Sequence, residues 1–113
     1  MPNAIYNALK LSEYRPLFHA LRVLIIGTGA VGTHLMEFFA KMGLSPDAMD
    51  FDTFTLENAA KHSCLIRTPD DVGRNKAECT SDRVQPLLDD GCSSNGIDGD
   101  LCKLGPEAFS DYD

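Results

Sequence analysis

Arg22-Val23-Leu24-Ile25-Ile26-Gly27-Thr28-Gly29-Ala30-Val31-Gly32 is the stretch on which the fold turns. Its first five residues form a compact, β-branched apolar run, the pattern of a strand buried on both faces. Gly27 ends that run, and Gly27, Gly29 and Gly32 stand in G-x-G-x-x-G spacing. The first glycine permits a tight turn, the second lets backbone approach a ligand, and the third lets a helix pack closely on the strand. Val31, Leu35, Phe38, Phe39 and Met42 then recur at helical spacing, and Gly43 supplies a stop. Free N–H groups at the start of such a helix, together with its dipole, favour an anion.

Working outward, residues 47–52 are expected to form the second strand. Its residues, Asp47-Ala48-Met49-Asp50-Phe51-Asp52, have poor strand propensity, so pairing with neighbours must carry it. Leu56 to Lys61 reads as a short helical turn, and Thr68-Pro69-Asp70-Asp71 as a loop. A helix is expected over 73–88, with Ala77, Thr80, Val84 and Leu87 on one face. Residues 91–96 read as a loop, 100–104 as a strand of modest quality, and Pro106 to Phe109 as one more helical turn. Upstream, residues 3–14 place Ile5, Ala8 and Leu9 on one helical face. Ser12 is the expected cap of a second short turn through Leu17 and Phe18, with Pro16 at an early position. The chain thus divides into an N-terminal helical segment, 1–21, and an α/β domain, 22–113. The alternation of strands and helices implies a parallel sheet with right-handed crossovers.

The chain has 113 residues, enough for at most one domain with an adequate core. Its net charge of −7 argues against nucleic acid, whose binding depends on cations neutralising phosphates. The same charge leaves room for a nucleotide, since a local lysine and backbone N–H groups can hold phosphate on an acidic protein. The longest apolar run, Val23 to Ile26, is too short to span a bilayer, and Met1-Pro2-Asn3-Ala4 lacks the features of a secretion signal. A cytoplasmic protein without a membrane partner is expected. Cys64, Cys79, Cys92 and Cys102 form no C-x-x-C pair and read as reduced thiols, with no protein-held metal.

Asp50 lies at the end of the second strand, about twenty residues beyond the glycine turn, where a carboxylate meets a ribose hydroxyl pair. To this point NAD, FAD and ATP are equally open. The following stretch, Asp50-Phe51-Asp52-Thr53-Phe54-Thr55-Leu56-Glu57-Asn58, resembles the D-x-D-x-[VF]-x-x-x-N signature of the ThiF/MoeB/HesA family, adenylyltransferases related to the ubiquitin-activating enzymes. Asp71-Val72-Gly73-Arg74-Asn75-Lys76-Ala77-Glu78 resembles that family's second segment, and with the glycine turn three motifs occur in order over residues 22–89. The resemblance implies a partial Rossmann-like parallel sheet of about three strands with flanking helices, in order 3-2-1-4, truncated before the fourth strand.

The chemistry implied by the resemblance is adenylation, in which a C-terminal carboxylate of a ubiquitin-like or sulfur-carrier protein attacks the α-phosphate of ATP. Such a transfer needs positioning and positive charge more than covalent help. By the same resemblance, Gly27, Gly29 and Gly32 cradle phosphate, Asp50 holds the ribose and Asn58 bonds phosphate oxygens. Lys76 and Lys61 act as the catalytic cations, and Asp52 helps to organise Mg²⁺ or the loop. Two features depart from the pattern. Lys61 and His62 stand where the family shows arginine and glutamine, and lysine lacks the bidentate fork. The N-terminal arginine segment is not recognisable, and no residue up to Asp113 matches the family's later metal-binding aspartate. These 113 residues are therefore not expected to adenylate alone. An open edge on the first strand leads to the expectation of a two-fold homodimer. The competing readings are a non-catalytic nucleotide-binding scaffold and half of an NAD- or FAD-dependent oxidoreductase.

Overall fold

A computed structural model describes residues 14–59 and 70–113 of the chain. In chain order its elements are α1 (Arg15–His19), β1 (Arg22–Ile26), α2 (Ala30–Met42), β2 (Ser45–Asp50), α3 (Leu56–Ala59), α4 (Lys76–Val84) and β3 (Gly96–Asp98). Single 3-10 turns follow at Gln85–Leu87, Leu101–Lys103 and Pro106–Phe109. All but the last residue of the helix expected over 3–14, the Ser12 cap of the following turn, Lys61, His62 and Cys64 lie outside the described residues. Among the described residues no helix is long and apolar enough to cross a membrane.

The sheet is three-stranded and parallel, in order β1-β2-β3, with the weakest strand by propensity at its centre. Leu24 pairs with Asp47 and Ile26 with Met49 on one side, and Met49 pairs with Ile97 on the other. β2 therefore has backbone partners along both edges, and these outweigh its residue preferences. It starts two residues earlier than the sequence suggested, because Gly43 (φ 94°) ends α2 and Ser45 N–H already donates to Leu21 O at 3.1 Å. Pro46 is tolerated in a central strand because it faces away from β1. Along the strand N–H groups alternate sides: Ser45 donates toward β1, whereas Ala48 donates to Asn95 O at 2.9 Å. Pro46 points toward the β3 side, upstream of the first β3 pair, Ala48 with Gly96.

Asp47 is buried within β2, and every bond it makes ties another segment to the strand. Its Oδ1 accepts from Asn95 N–H (2.8 Å) and Nδ2 (3.3 Å). Its Oδ2 accepts from Arg22 Nη2 (2.8 Å) and the Tyr112 hydroxyl (2.7 Å). The Arg22 guanidinium also lies 5.5 Å from the centre of the Tyr112 ring. Asp113 N–H donates to Arg22 O at 2.9 Å, so the last residues run alongside the start of β1. A buried carboxylate is tolerable only when paired in this way.

Two corrections concern the second half of the chain. The helix expected over 73–88 begins only at Lys76, because Gly73 turns at φ 89° and Asn75 caps the helix, accepting from Glu78 N–H at 3.0 Å. It ends at Val84, where Pro86 in the following 3-10 turn removes a donor. The strand expected at 100–104 is instead a 3-10 turn whose start is capped by Asp100, which accepts from Cys102 N–H at 2.9 Å. The third strand lies earlier, at Gly96–Asp98, beginning at the last residue of the loop expected over 91–96. A Cβ on Gly96 would overlap Glu78 Cα and the Ala77 carbonyl, so only glycine lets β3 lie this close to α4.

The core forms where α2 and α4 meet the sheet: Met36, Ala40, Ala48, Ala77 and Val84 are buried, with Ile25, Leu87 and Leu88 packed against them. The expected face of α4 is the one buried. For α2 the apolar positions divide. Its inner face is Gly32, Thr33, Met36 and Ala40, whereas Val31 (73% exposed), Leu35 (38%) and Phe38 (47%) face outward. Helical spacing identified the helix but not which side of its wide apolar arc meets the sheet.

Burial and the Asp47 bond push the Tyr112 hydroxyl from its ordinary 10.0 up to about 12. The folded chain thus holds this proton more tightly than the unfolded chain. Its contribution is complete below pH ~10 and is lost as the pH climbs toward 12. The stability difference between the native chain and Tyr112→Phe, measured by urea unfolding, should shrink across that window. A difference that stays constant from pH 9 to 12 would show that the Asp47 bond does not favour the neutral phenol.

Candidate functional site

At the carboxyl ends of β1 and β2 the sequence places three different kinds of group: glycines, carboxylates and a lysine. Gly27 adopts φ 91°, a conformation other residues rarely take, and Gly29 sits at the N-cap of α2 without a side-chain cap. The first N–H groups of α2 are thus left for another acceptor. A Cβ on Gly32 would overlap the Gly27 carbonyl, so the third glycine serves the close contact of helix and turn. Nothing lies within 4 Å of a Cβ built at Gly27 or Gly29, so the space before the turn is open.

Asp50, the last residue of β2, holds the turn. Its Oδ2 accepts from Thr28 N–H at 2.7 Å and from the Thr28 hydroxyl at 3.2 Å. Its Oδ1 accepts from Asp52 N–H at 2.9 Å. Thr28 is fully buried, although it occupies a nominally free position of the glycine motif. The bonds continue from Asp52: its carbonyl accepts from Lys76 N–H at 2.8 Å, and its carboxylate lies 4.0 Å from Lys76 Nζ. The Lys76 ammonium also lies 5.9 Å from the centre of the Phe54 ring, and its side chain is only 13% exposed. A cation in the first turn of a helix meets an unfavourable dipole. Asp52 and the ring face offset that disadvantage and hold the charge toward the strand ends.

Asn75 completes the arrangement and was not singled out in the sequence. Its Nδ2 donates to the Asp50 carbonyl (2.9 Å) and the Asp52 carbonyl (3.3 Å), while its Oδ1 caps α4. The signal was present as Asn75-Lys76-Ala77-Glu78, an N-cap residue followed three positions later by glutamate. Through Thr28, Asp50, Asp52 and Lys76, one chain of bonds joins residues that lie far apart in sequence. Asn58 stands apart from it in α3, where its N–H donates to the capping hydroxyl of Thr55 at 3.2 Å. Lys61 lies outside the described residues.

A cleft of about 230 Å³ opens between the strand ends and the turn after β3, lined by Ile26, Met49, Asp50, Phe51, Leu101 and Cys102, among others. Its walls are largely apolar, with Asp50 as a polar group on one side. Cys102 is exposed, Cys79 is buried, and both are free thiols. For a divalent cation the donor set is thin. Among the described residues no group of three metal-ligating side chains exists, and both Asp50 oxygens already bond the chain. Asp52, at 59% exposure, is the better placed carboxylate for Mg²⁺, which commonly needs only one or two carboxylates beside phosphate and water.

The chain is 32% identical over 97 residues to ubiquitin-activating enzyme E1 1 of Candida albicans (strain WO-1), an alignment covering 82% of this chain and 9% of the relative. Among solved structures it is similar to E. coli tRNA N6-threonylcarbamoyladenosine dehydratase, TcdA, in complex with ATP, with a TM-score of 0.70 and 22% identity. That match covers 87% of this chain and 38% of TcdA. It is similar also to E. coli MccB with AMPCPP and MccA, with a TM-score of 0.68 and 24% identity, over 77% of this chain and 25% of MccB. The chain thus spans a small part of each relative, and at these identities the structural matches speak for the fold. The sequence model of the ThiF family matches residues 3–101, nearly the whole chain, and the chain belongs to that family.

Proposed function

We propose that the carboxyl edge of this sheet binds ATP, and that in the whole protein it presents the α-phosphate to a carboxylate for adenylation. One observation carries the reading: the glycine turn, open at Gly27 and Gly29, is bonded to a strand-tip carboxylate, and a lysine is tied to that carboxylate through Asp52. NAD would need no cation there. The cleft, at about 230 Å³, falls below the ~300–1,000 Å³ of a site that holds a whole drug-sized ligand. It accommodates base and ribose, and the phosphates extend over Gly27 and Gly29 toward Lys76. Of the roughly four lone-pair sites of the Asp50 carboxylate, Thr28 and Asp52 take three, and the site left on Oδ1 accepts a ribose hydroxyl. Lys76 offsets charge that accumulates on the phosphates, and the α2 N-terminus adds donors. Asn58 and Lys61 are assigned to phosphate oxygens, and Mg²⁺ is assigned to the phosphates with Asp52. Bound there, the ion would screen the phosphate charge. TcdA with ATP and MccB with AMPCPP support the choice of nucleotide, and the ubiquitin-activating relative and MccB with MccA support a ubiquitin-like protein or peptide as the acceptor.

A homodimer is proposed as well. Among the described residues β1 forms a strand ladder with β2 alone, Asp113 bonds its other edge at Arg22 and leaves the rest of that edge open, and α2 exposes Val31, Leu35 and Phe38. A two-fold axis along this edge would pair β1 with its copy and cover the apolar stripe. Light scattering at tens of micromolar should give twice the chain mass, and Phe38→Glu should return it to a monomer. A native chain that is already monomeric removes the proposal.

Thermal unfolding with ATP and with NAD tests the nucleotide reading. A ligand at a hundredfold excess over its Kd stabilises by ~2.7 kcal/mol, so ATP should raise the midpoint and NAD should not. Lys76→Met should abolish most of the ATP effect. A shift with NAD that exceeds the shift with ATP would favour the oxidoreductase reading. The glycines supply an internal contrast. Gly29→Ala should cost less stability than Gly32→Ala, since its Cβ meets open space and only an N-cap preference is lost, yet it should lose ATP binding. Gly32→Ala should destabilise the fold by about 1–3 kcal/mol, the usual range for overpacking. Equal effects of the two on stability would contradict the division of labour within the turn.

A further inference from the structure

Asp71 opens the second motif of the chain, yet nothing in the site so far uses it. It is fully buried, and a buried carboxylate demands strong partners. Its Oδ1 accepts from Arg83 Nη2 at 2.7 Å and from the Cys79 thiol at 3.0 Å, and Arg74 Nη1 lies 3.6 Å away. Arg83 comes from the last turn of α4, Cys79 from its middle, and Arg74 from the loop before it. Arg74 in turn pairs with Asp82, also on α4. Burial and the Asp71 bond push the Cys79 thiol up to about 12, so it stays neutral and remains a donor.

The loop anchored in this way is the one that leads into Lys76. Residues 73–76 run beside 52–54 like a short second ladder. Gly73 N–H donates to Phe54 O (2.8 Å), Phe54 N–H to Arg74 O (2.9 Å) and Lys76 N–H to Asp52 O (2.8 Å), with an antiparallel bridge between Thr53 and Asn75. Phe54 and Cys79 form a small buried cluster of their own beneath this ladder. Asp71 therefore fixes one end of the loop to the body of α4, and Asn75 fixes the other to its first turn. Lysine itself has a flexible stem and no means of choosing where its backbone sits.

We infer that Asp71 is a positioning residue: through Arg83, Arg74 and Cys79 it sets the 71–76 loop against 52–54 and so places the Lys76 ammonium before the glycine turn. The inference rests on the ATP-binding reading for its functional half. Its structural half stands on the loop alone.

A double-mutant cycle separates positioning from general stability. ATP affinity is measured for the native chain, Asp71→Asn, Lys76→Met and the double variant. Asp71→Asn should weaken binding about tenfold, within the range by which changes away from a ligand modulate its binding. The double variant should bind no worse than Lys76→Met alone. Additive losses would overturn the inference. Amide exchange without nucleotide supplies the second readout: in Asp71→Asn the Phe54, Gly73 and Lys76 amides should exchange faster while Ser45 and Ala48 stay protected. Unchanged exchange at Lys76, or faster exchange everywhere in a folded variant, would also overturn it. Should Asp71→Asn fail to fold, Cys79→Ala should show the same local pattern more weakly, and Cys79→Ser, which keeps a donor, should behave as native. If the native chain binds no ATP, the functional reading fails, and the exchange comparison then decides the loop anchor by itself.

Discussion

The bond from Thr28 N–H to the Asp50 carboxylate, 2.7 Å long, is the interaction on which the site depends. It joins the turn after β1 to the tip of β2, and the other oxygen of the same carboxylate takes up Asp52 N–H. A single side chain therefore sets the shape of the glycine turn and the course of the chain beyond β2. That shape exists before any ligand arrives, so binding needs little reorganisation. An anion approaching Asp50 meets a like charge, and the uncapped start of α2 and the Lys76 ammonium must outweigh it. Their placement at the start of α2 and on α4 would suit the proposed nucleotide, with its sugar turned to the carboxylate and its phosphates to the donors and the cation.

The chain builds this geometry with an unusual share of buried polar groups. Thr28, Thr33, Ser45, Asp47, Asp71, Thr80, Ser81, Asp89 and Ser94 are all buried, beside a modest apolar core. The Thr33 and Thr80 hydroxyls bond carbonyls of their own helices, whereas others join separate segments. Asp47 gathers Arg22, Asn95 and Tyr112; the Ser81 and Ser94 hydroxyls meet at 3.2 Å; and His19 Nε2 lies 2.7 Å from Asp89, linking α1 to the loop before β3. Such networks add little net stability over apolar packing, but they define which segments lie together. In a short chain with a small core, uniqueness of the fold rests more on these bonds than on packed volume.

What could be read from the sequence follows the same division. The β1 run, the glycine turn and α2 were legible because their signals are local: β-branched residues, glycine spacing and a helical period. Asp50 at the strand tip was legible by its distance from the turn. The roles of Thr28, Asn75 and Asp71 were not, because each depends on a partner contributed by another segment. β3 was misplaced for a related reason. Gly96 reads as a loop residue in isolation, and only the backbone of α4 beside it shows why glycine is required within a strand. The outward turn of Val31, Leu35 and Phe38 could not be read either, since an apolar arc wide enough for two faces does not say which one meets the sheet.

The most direct test of the account is a titration of the ¹⁵N-labelled chain with ATP, followed amide by amide. The account predicts that the largest shifts fall on Thr28 to Gly32, Asp50, Asp52 and Lys76, while Asn95 and Tyr112, bonded to Asp47 in the amino-terminal half of β2, stay in place. Saturable shifts confined to the Asp47 end, with the glycine turn unmoved, would contradict it.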